Sequence, residues 1–194
     1  MIKSPIQEVT NKLQYRAIGI IYGFYKPLET VSLNKGLIID KNSLELDTVV
    51  LGKVLPLIRK YVDLQKQYYW IVYPRNKNSG NIHLQIAGIW DPCELNGFSK
   101  KPLQKNNDLL SEFNLKDNFF SIRGKLIFIN ESQKEIIIKI CQSNSINKTR
   151  YKSFKIVIKG EIPMKFLNSF VSLVTYRNNN SLCLDTFDVI ETNF

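Results

Sequence analysis

Short runs of alternating apolar and polar residues fill most of the chain, and turn-forming residues close nearly all of them. Residues 15–25 form the first run, closed by Pro27, and runs 31–40 and 44–50 follow, separated by the turn 40–43. The period then changes. Val54, Leu55, Leu57, Ile58, Tyr61 and Val62 recur at helical spacing, which predicts a helix over about 53–64. Gly52 suits its N-cap, and Pro56 falls in the first turn, where backbone N–H groups have no helical partner. Runs 68–73, ending at Pro74, and 82–90, ending at Asp91 and Pro92, restore the period of two.

The second half repeats the scheme with little shared sequence. Strands are predicted at 119–129, 135–141, 151–160, 170–176 and 182–190, with only a short connection, 164–169, where the first half has its helix. A β-β-β-α-β-β order is that of the OB-fold, a five-stranded Greek-key barrel. Glycines inside the predicted strands (Gly19, Gly23, Gly36 and Gly124) suit the sharp bends of so small a barrel. The expectation is a mainly β protein of two tandem OB-like barrels, 1–91 and 118–194. Residues 92–117 hold Pro92, Gly97 and Pro102 without sustained alternation, and read as a linker with one helical turn near 109–113.

Charge gives the predicted barrels a shared theme. The 194 residues carry 27 Lys and Arg against 17 Asp and Glu, a net charge of +10. Counted by predicted segment, residues 1–91 and 118–194 each carry +5, while 92–117 is neutral. Such a balance favours polyanions, nucleic acid first. Two plain explanations compete: Lys enrichment in an AT-rich genome, and Lys used to blunt exposed strand edges.

Alternation names the candidate contacts. In the second barrel, inward Gly124, Leu126 and Phe128, then Ile136, Ile138 and Ile140, then Phe154, Ile156 and Ile158, leave Arg123, Lys125, Lys139, Lys155 and Lys159 outward. Lys148, Arg150 and Lys152 lie in or beside the preceding loop, and only Glu135 opposes them on these strands. In the first barrel, aromatic residues crowd strands one and four. Tyr68 and Trp70 share one face and Tyr69 and Tyr73 the other, so one set is core and the other is free to stack on bases. Tyr25, Tyr69 and Tyr73, with Lys26 and Arg75, are the candidates there.

Other chemistry is not signalled. There is no glycine-rich phosphate loop, no H-E-x-x-H, no clustered carboxylates and no C-x-x-C. His83 and the cysteines Cys93, Cys141 and Cys183 have no zinc spacing, so no metal or cofactor is expected and the thiols read as reduced. With no long apolar run and no apolar N-terminal region, the expected setting is the cytoplasm, away from membranes.

The stretches 15–19, 50–53, 70–75 and 86–90, with 120–124 and 154–163, resemble a cyanobacterial protein family to which no activity is attached. More distantly, both halves resemble the OB superfamily, which implies a single-stranded nucleic acid or an oligosaccharide as ligand. The reading is therefore a binding module and not an enzyme, with single-stranded nucleic acid, RNA ahead of DNA, held on the outer faces of strands one to three. Its rival is an accessory subunit docked on a larger machine such as RNA polymerase, the ribosome or a replication complex.

Overall fold

The computed structural model describes residues 3–29, 31–77, 81–91, 110–142, 152–192 and 194. Ten strands form, with a helix after the third: β1 (Arg16–Pro27), β2 (Lys35–Asp40), β3 (Glu45–Val50), α1 (Leu55–Tyr61), β4 (Tyr68–Asn76) and β5 (Ile82–Trp90), then β6 (Phe119–Asn130), β7 (Glu135–Gln142), β8 (Lys152–Lys159), β9 (Phe170–Asn178) and β10 (Ser181–Glu191). The β-β-β-α-β-β order stands. The helix is shorter than its apolar spacing predicted, and its N-cap is Val54 without a side-chain bond, not Gly52. β4 runs through Pro74 to Asn76 where the proline was expected to stop it.

Strand pairing is the same twice over. β1 pairs antiparallel with β2 and β4, β2 with β3, and β3 runs parallel to β5, giving the order β2-β3-β5-β4-β1 closed by the β1–β2 ladder. In the second set β6-β7-β8-β10-β9 is closed by β6–β9, and the one parallel pair is β8 with β10. The parallel pair in each five-stranded barrel joins its third and fifth strands. A 3-10 turn, Met164–Phe166, stands between β8 and β9, where the first barrel has its helix between β3 and β4.

Each core is what alternation allows. Ile21, Tyr25, Ile38, Leu46, Trp70, Val72, Leu84 and Ile86 fill the first barrel, and Leu126, Ile136, Ile138, Ile156, Ile158, Leu173 and Leu182 the second. The first strands bend at glycine. A Cβ at Gly23 would clash with the Ile39 carbonyl oxygen, and one at Gly124 with that of Lys139. No other residue lets the backbones come that close.

The chain forms two compact units, and these do not follow the predicted segments. Residues 1–7, 19–73 and 83–119 make the first; residues 8–18, 74–82 and 120–194 make the second. In the stretch read as linker, Leu110 and Leu115 are buried, and the Tyr22 N–H donates to Asp117 Oδ1 at 2.9 Å. Residues 92–109, including Cys93, lie outside the described residues. The exchange of segments moves charge. By sequence the first unit holds 12 basic and 10 acidic residues, and the second 15 and 7.

Candidate nucleic-acid interface

The ladders of the second barrel bring three lysines into one row. Lys125 on β6 pairs with Lys139 on β7, and Lys139 pairs with Lys155 on β8. Their inward neighbours Leu126, Ile138, Ile140 and Ile156 are buried, so the lysines stand on the outer face. Strands sit about 4.8 Å apart, and the row therefore spans about 10 Å. Like charges directly opposite each other destabilise a sheet. The ion pairs of Lys12 with Glu191, Lys41 with Asp117 and Lys134 with Glu161 leave the row out, and among the described residues no carboxylate is paired with it. Lys159 is exposed at the end of β8 opposite Glu135, and Lys152 is exposed at its start opposite Gln142.

Beside the lysines runs an apolar row, and a bulge makes it. Register slips between Leu126 and Phe128, so Ile127 is the extra residue and Phe128 pairs with Ile137, which pairs with Val157. The slip reverses the alternation. Phe128, expected inside the barrel, is 47% exposed, and Ile129 takes the buried place. One aromatic ring thus stands on the outer face about 7 Å along the sheet from the lysine row.

Arg75 and its neighbours flank β8. The guanidinium lies 3.7 Å from the centre of the Phe154 ring, and Asn76 Oδ1 accepts the Val157 N–H at 3.0 Å. Arg75 and Lys77 thereby belong to the second unit although they leave from β4. Lys148 and Arg150 lie outside the described residues.

Three expected contacts are corrected by burial. Arg123 points away from the barrel interior as alternation demands, but residues 8–18 cover it. Its Nη2 donates to the Lys12 carbonyl at 2.6 Å and its Nε to that of Gln14 at 3.3 Å, leaving it 6% exposed. Beside it Arg16 Nη2 donates to Ser121 Oγ at 2.7 Å. Burial lowers the pKa of both guanidiniums, and the charge of Arg123 lowers that of Arg16 further. Tyr25 is core: it is 1% exposed, and its hydroxyl donates to the Leu33 carbonyl at 2.8 Å. Tyr69 is on the outer face but closed in by Tyr22, at 4.8 Å between ring centres, and by Trp90 at 5.8 Å. Tyr68, Tyr69 and Trp70 are therefore all buried, and the choice between two faces of β4 does not arise. Desolvation pushes the phenols of Tyr25 and Tyr69 up to about 12, with Asp117 and then Tyr22 adding to the effect on Tyr69. Tyr73 is half-buried and Lys26 exposed.

A cleft of about 310 Å³ in the first unit is lined by Tyr22, Lys41, Tyr69, Leu110 and Asp117 among others, but its carboxylate already holds Lys41 at 3.5 Å and the Tyr22 N–H. Among the described residues no group of three or more His, Cys, Asp or Glu could hold a metal ion. Cys141 and Cys183 are free thiols, half-buried, and no described helix is long and apolar enough to cross a membrane.

Residues 17–97 match the N-terminal OB-fold domain of the PatR RNA-binding protein, and residues 122–191 match a C-terminal cyanobacterial OB-fold-like RNA-binding domain. The chain belongs to this cyanobacterial OB-fold family. Both matches fall on the barrels described above, and no curated protein matches the chain.

Proposed function

We propose that the protein binds single-stranded RNA, and that the outer face of β6, β7 and β8 is where the strand lies. The observation that carries this is the lysine row Lys125–Lys139–Lys155, an arrangement that costs the free protein stability and gains from a polyanion. The exposed ring of Phe128 beside it supplies what phosphate contacts lack, a flat surface for an unpaired base. Exposed Lys159 extends the positive surface on the same face, while Lys152 and the Arg75 stacked on Phe154, of opposite parity on β8, and Lys26 and Tyr73 on the first barrel are secondary contacts. The family supports RNA over DNA as the ligand, and its C-terminal domain is the one described as RNA-binding.

The test is fluorescence anisotropy with one labelled RNA, offered single-stranded, as a duplex and as its DNA counterpart. Single-stranded RNA should bind tightest. Phe128→Leu keeps the apolar surface but removes the ring, and should weaken that binding by about 1–3 kcal/mol, roughly 5- to 150-fold. Equal affinity for duplex and single strand, with no loss in Phe128→Leu, would refute the reading.

A further inference from the structure

The outer face of β6, β7 and β8 has a third row beyond the apolar one. Asn130 pairs with Glu135, and Glu135 with Lys159. Along the strands the rows run Lys125–Lys139–Lys155, then Phe128–Ile137–Val157, then Asn130–Glu135–Lys159, each about 7 Å from the next. Ile136, Ile138, Ile156 and Ile158 between these positions are buried, so all three rows share the outward side. Four of the nine positions are lysines and one is a carboxylate.

Phosphate binding gives no reason for that carboxylate, which repels the backbone that the lysines attract. A Glu opposite a Lys can stabilise a ladder as an ion pair. Here the ion pairs of the described residues leave Glu135 out, and its chain neighbour Lys134 binds Glu161 instead, at 2.7 Å. The Asn130 amide is held in its turn: Nδ2 donates to Gln133 Oε1 at 3.1 Å, and Oδ1 accepts the Gln133 N–H at 3.0 Å. The third row therefore presents an acceptor, the half-buried Glu135, beside a donor, the exposed Lys159.

A nucleotide whose phosphate lies on the lysine row and whose base lies on the apolar row turns the far edge of that base towards Glu135 and Lys159. Guanine carries on this edge a carbonyl oxygen followed by two adjacent N–H donors. A carboxylate only accepts, and it can take both donors at once while the ammonium beside it meets the carbonyl. Uracil offers one N–H between two carbonyl oxygens, which the carboxylate repels. Adenine and cytosine each offer one amino group next to a ring acceptor. We infer that Glu135, with Lys159 across the ladder, selects guanine for the base that stacks on Phe128. This rests on the RNA lying on the β6–β8 face, as proposed above, and adds to it the identity of one base.

The test is fluorescence anisotropy of the full chain with labelled oligouridine of about eight residues, and with versions carrying one central guanosine, inosine, adenosine or cytidine. The guanosine probe should bind roughly 5- to 150-fold tighter than oligouridine, the discrimination of one good bidentate contact. Inosine, which lacks the guanine amino group, should fall between them. Glu135→Thr is too short to reach the base, and should bring the guanosine-to-uridine ratio close to one. The same variant should bind oligouridine at least as well as the wild type, because a repelling charge has gone, and that retained binding shows that it folds. Glu135→Gln keeps an acceptor oxygen without the charge and should hold part of the preference. Equal affinity for all the probes, or a guanosine preference that survives in Glu135→Thr, would overturn the inference. With oligouridine still bound and still weakened by Phe128→Leu, either result leaves the proposed RNA face standing. Absence of binding to every probe would overturn both.

Discussion

Replacing Lys125, Lys139 and Lys155 together by Gln should make the free protein more stable and the RNA complex weaker. Two in-register like-charged pairs disappear, each worth about 0.2–1 kcal/mol, for a total of about 0.4–2 kcal/mol. For a chain of this size each kcal/mol moves Tm by roughly 2–4 °C, so the variant should melt about 1–8 °C higher. Binding moves the other way. Each phosphate neutralised on a single strand contributes about −0.7 to the slope of log K against log salt, so three contacts give about −2. Between 50 and 200 mM salt those contacts alone account for an affinity loss of roughly 20-fold, and the variant should lack that loss. A companion carrying Lys3→Gln, Lys53→Gln and Lys60→Gln loses the same charge from exposed sites of the first unit. It should keep both the wild-type Tm and the salt slope. Calorimetry and anisotropy titrations over salt measure the two quantities on the same samples. If the row variant melts no higher and keeps its slope, the lysines are ordinary surface residues and the interface is misplaced. Equal losses of affinity in both variants would mean that the attraction comes from charge spread over the whole protein.

Arg123→Met removes the guanidinium that satisfies the Lys12 and Gln14 carbonyls, and should cost about 2–4 kcal/mol in chemical denaturation while leaving the RNA salt slope unchanged. A slope reduced by one phosphate contact would restore Arg123 to the interface. Tyr25 and Tyr69 bind their protons up to about pH 12 in the folded chain against about 10 when unfolded, so stability is intact below pH 10 and falls as pH rises towards 12. Each contributes on the order of 2–3 kcal/mol to that fall. Tyrosinate absorbance should show these two titrating only with the alkaline unfolding transition, and free titration near pH 10 in a folded sample would contradict their burial.

Alternation and turn residues alone determine that this chain is β-rich, that it folds as five strands twice, and that a helix follows the third strand of the first set. Those properties are local. A strand writes its two faces into every second residue, and Gly23 and Gly124 mark where the strand must bend against a neighbour's carbonyl. The same logic placed Lys125, Lys139 and Lys155 outward. That the three stand in one row depends on register between strands, a relation among residues 14 and 16 positions apart.

What covers an outward side chain is decided further away still. Arg123 and Tyr69 both leave their barrels as the period of two requires. Residues 8–18 close over Arg123, while Tyr22 and Trp90 pack on Tyr69. Nothing in the neighbourhood of either residue along the chain announces its cover, although the apolar Leu110 and Leu115 inside the supposed linker were a signal that this stretch had something to bury. Phe128 shows the reverse. One unpaired residue, Ile127, turns the alternation over and puts on the surface a ring that an unbroken strand would bury. The period of a sequence states which side of a strand a residue takes. Whether that side meets water depends on backbone segments packed from elsewhere, and only the tertiary structure holds that information.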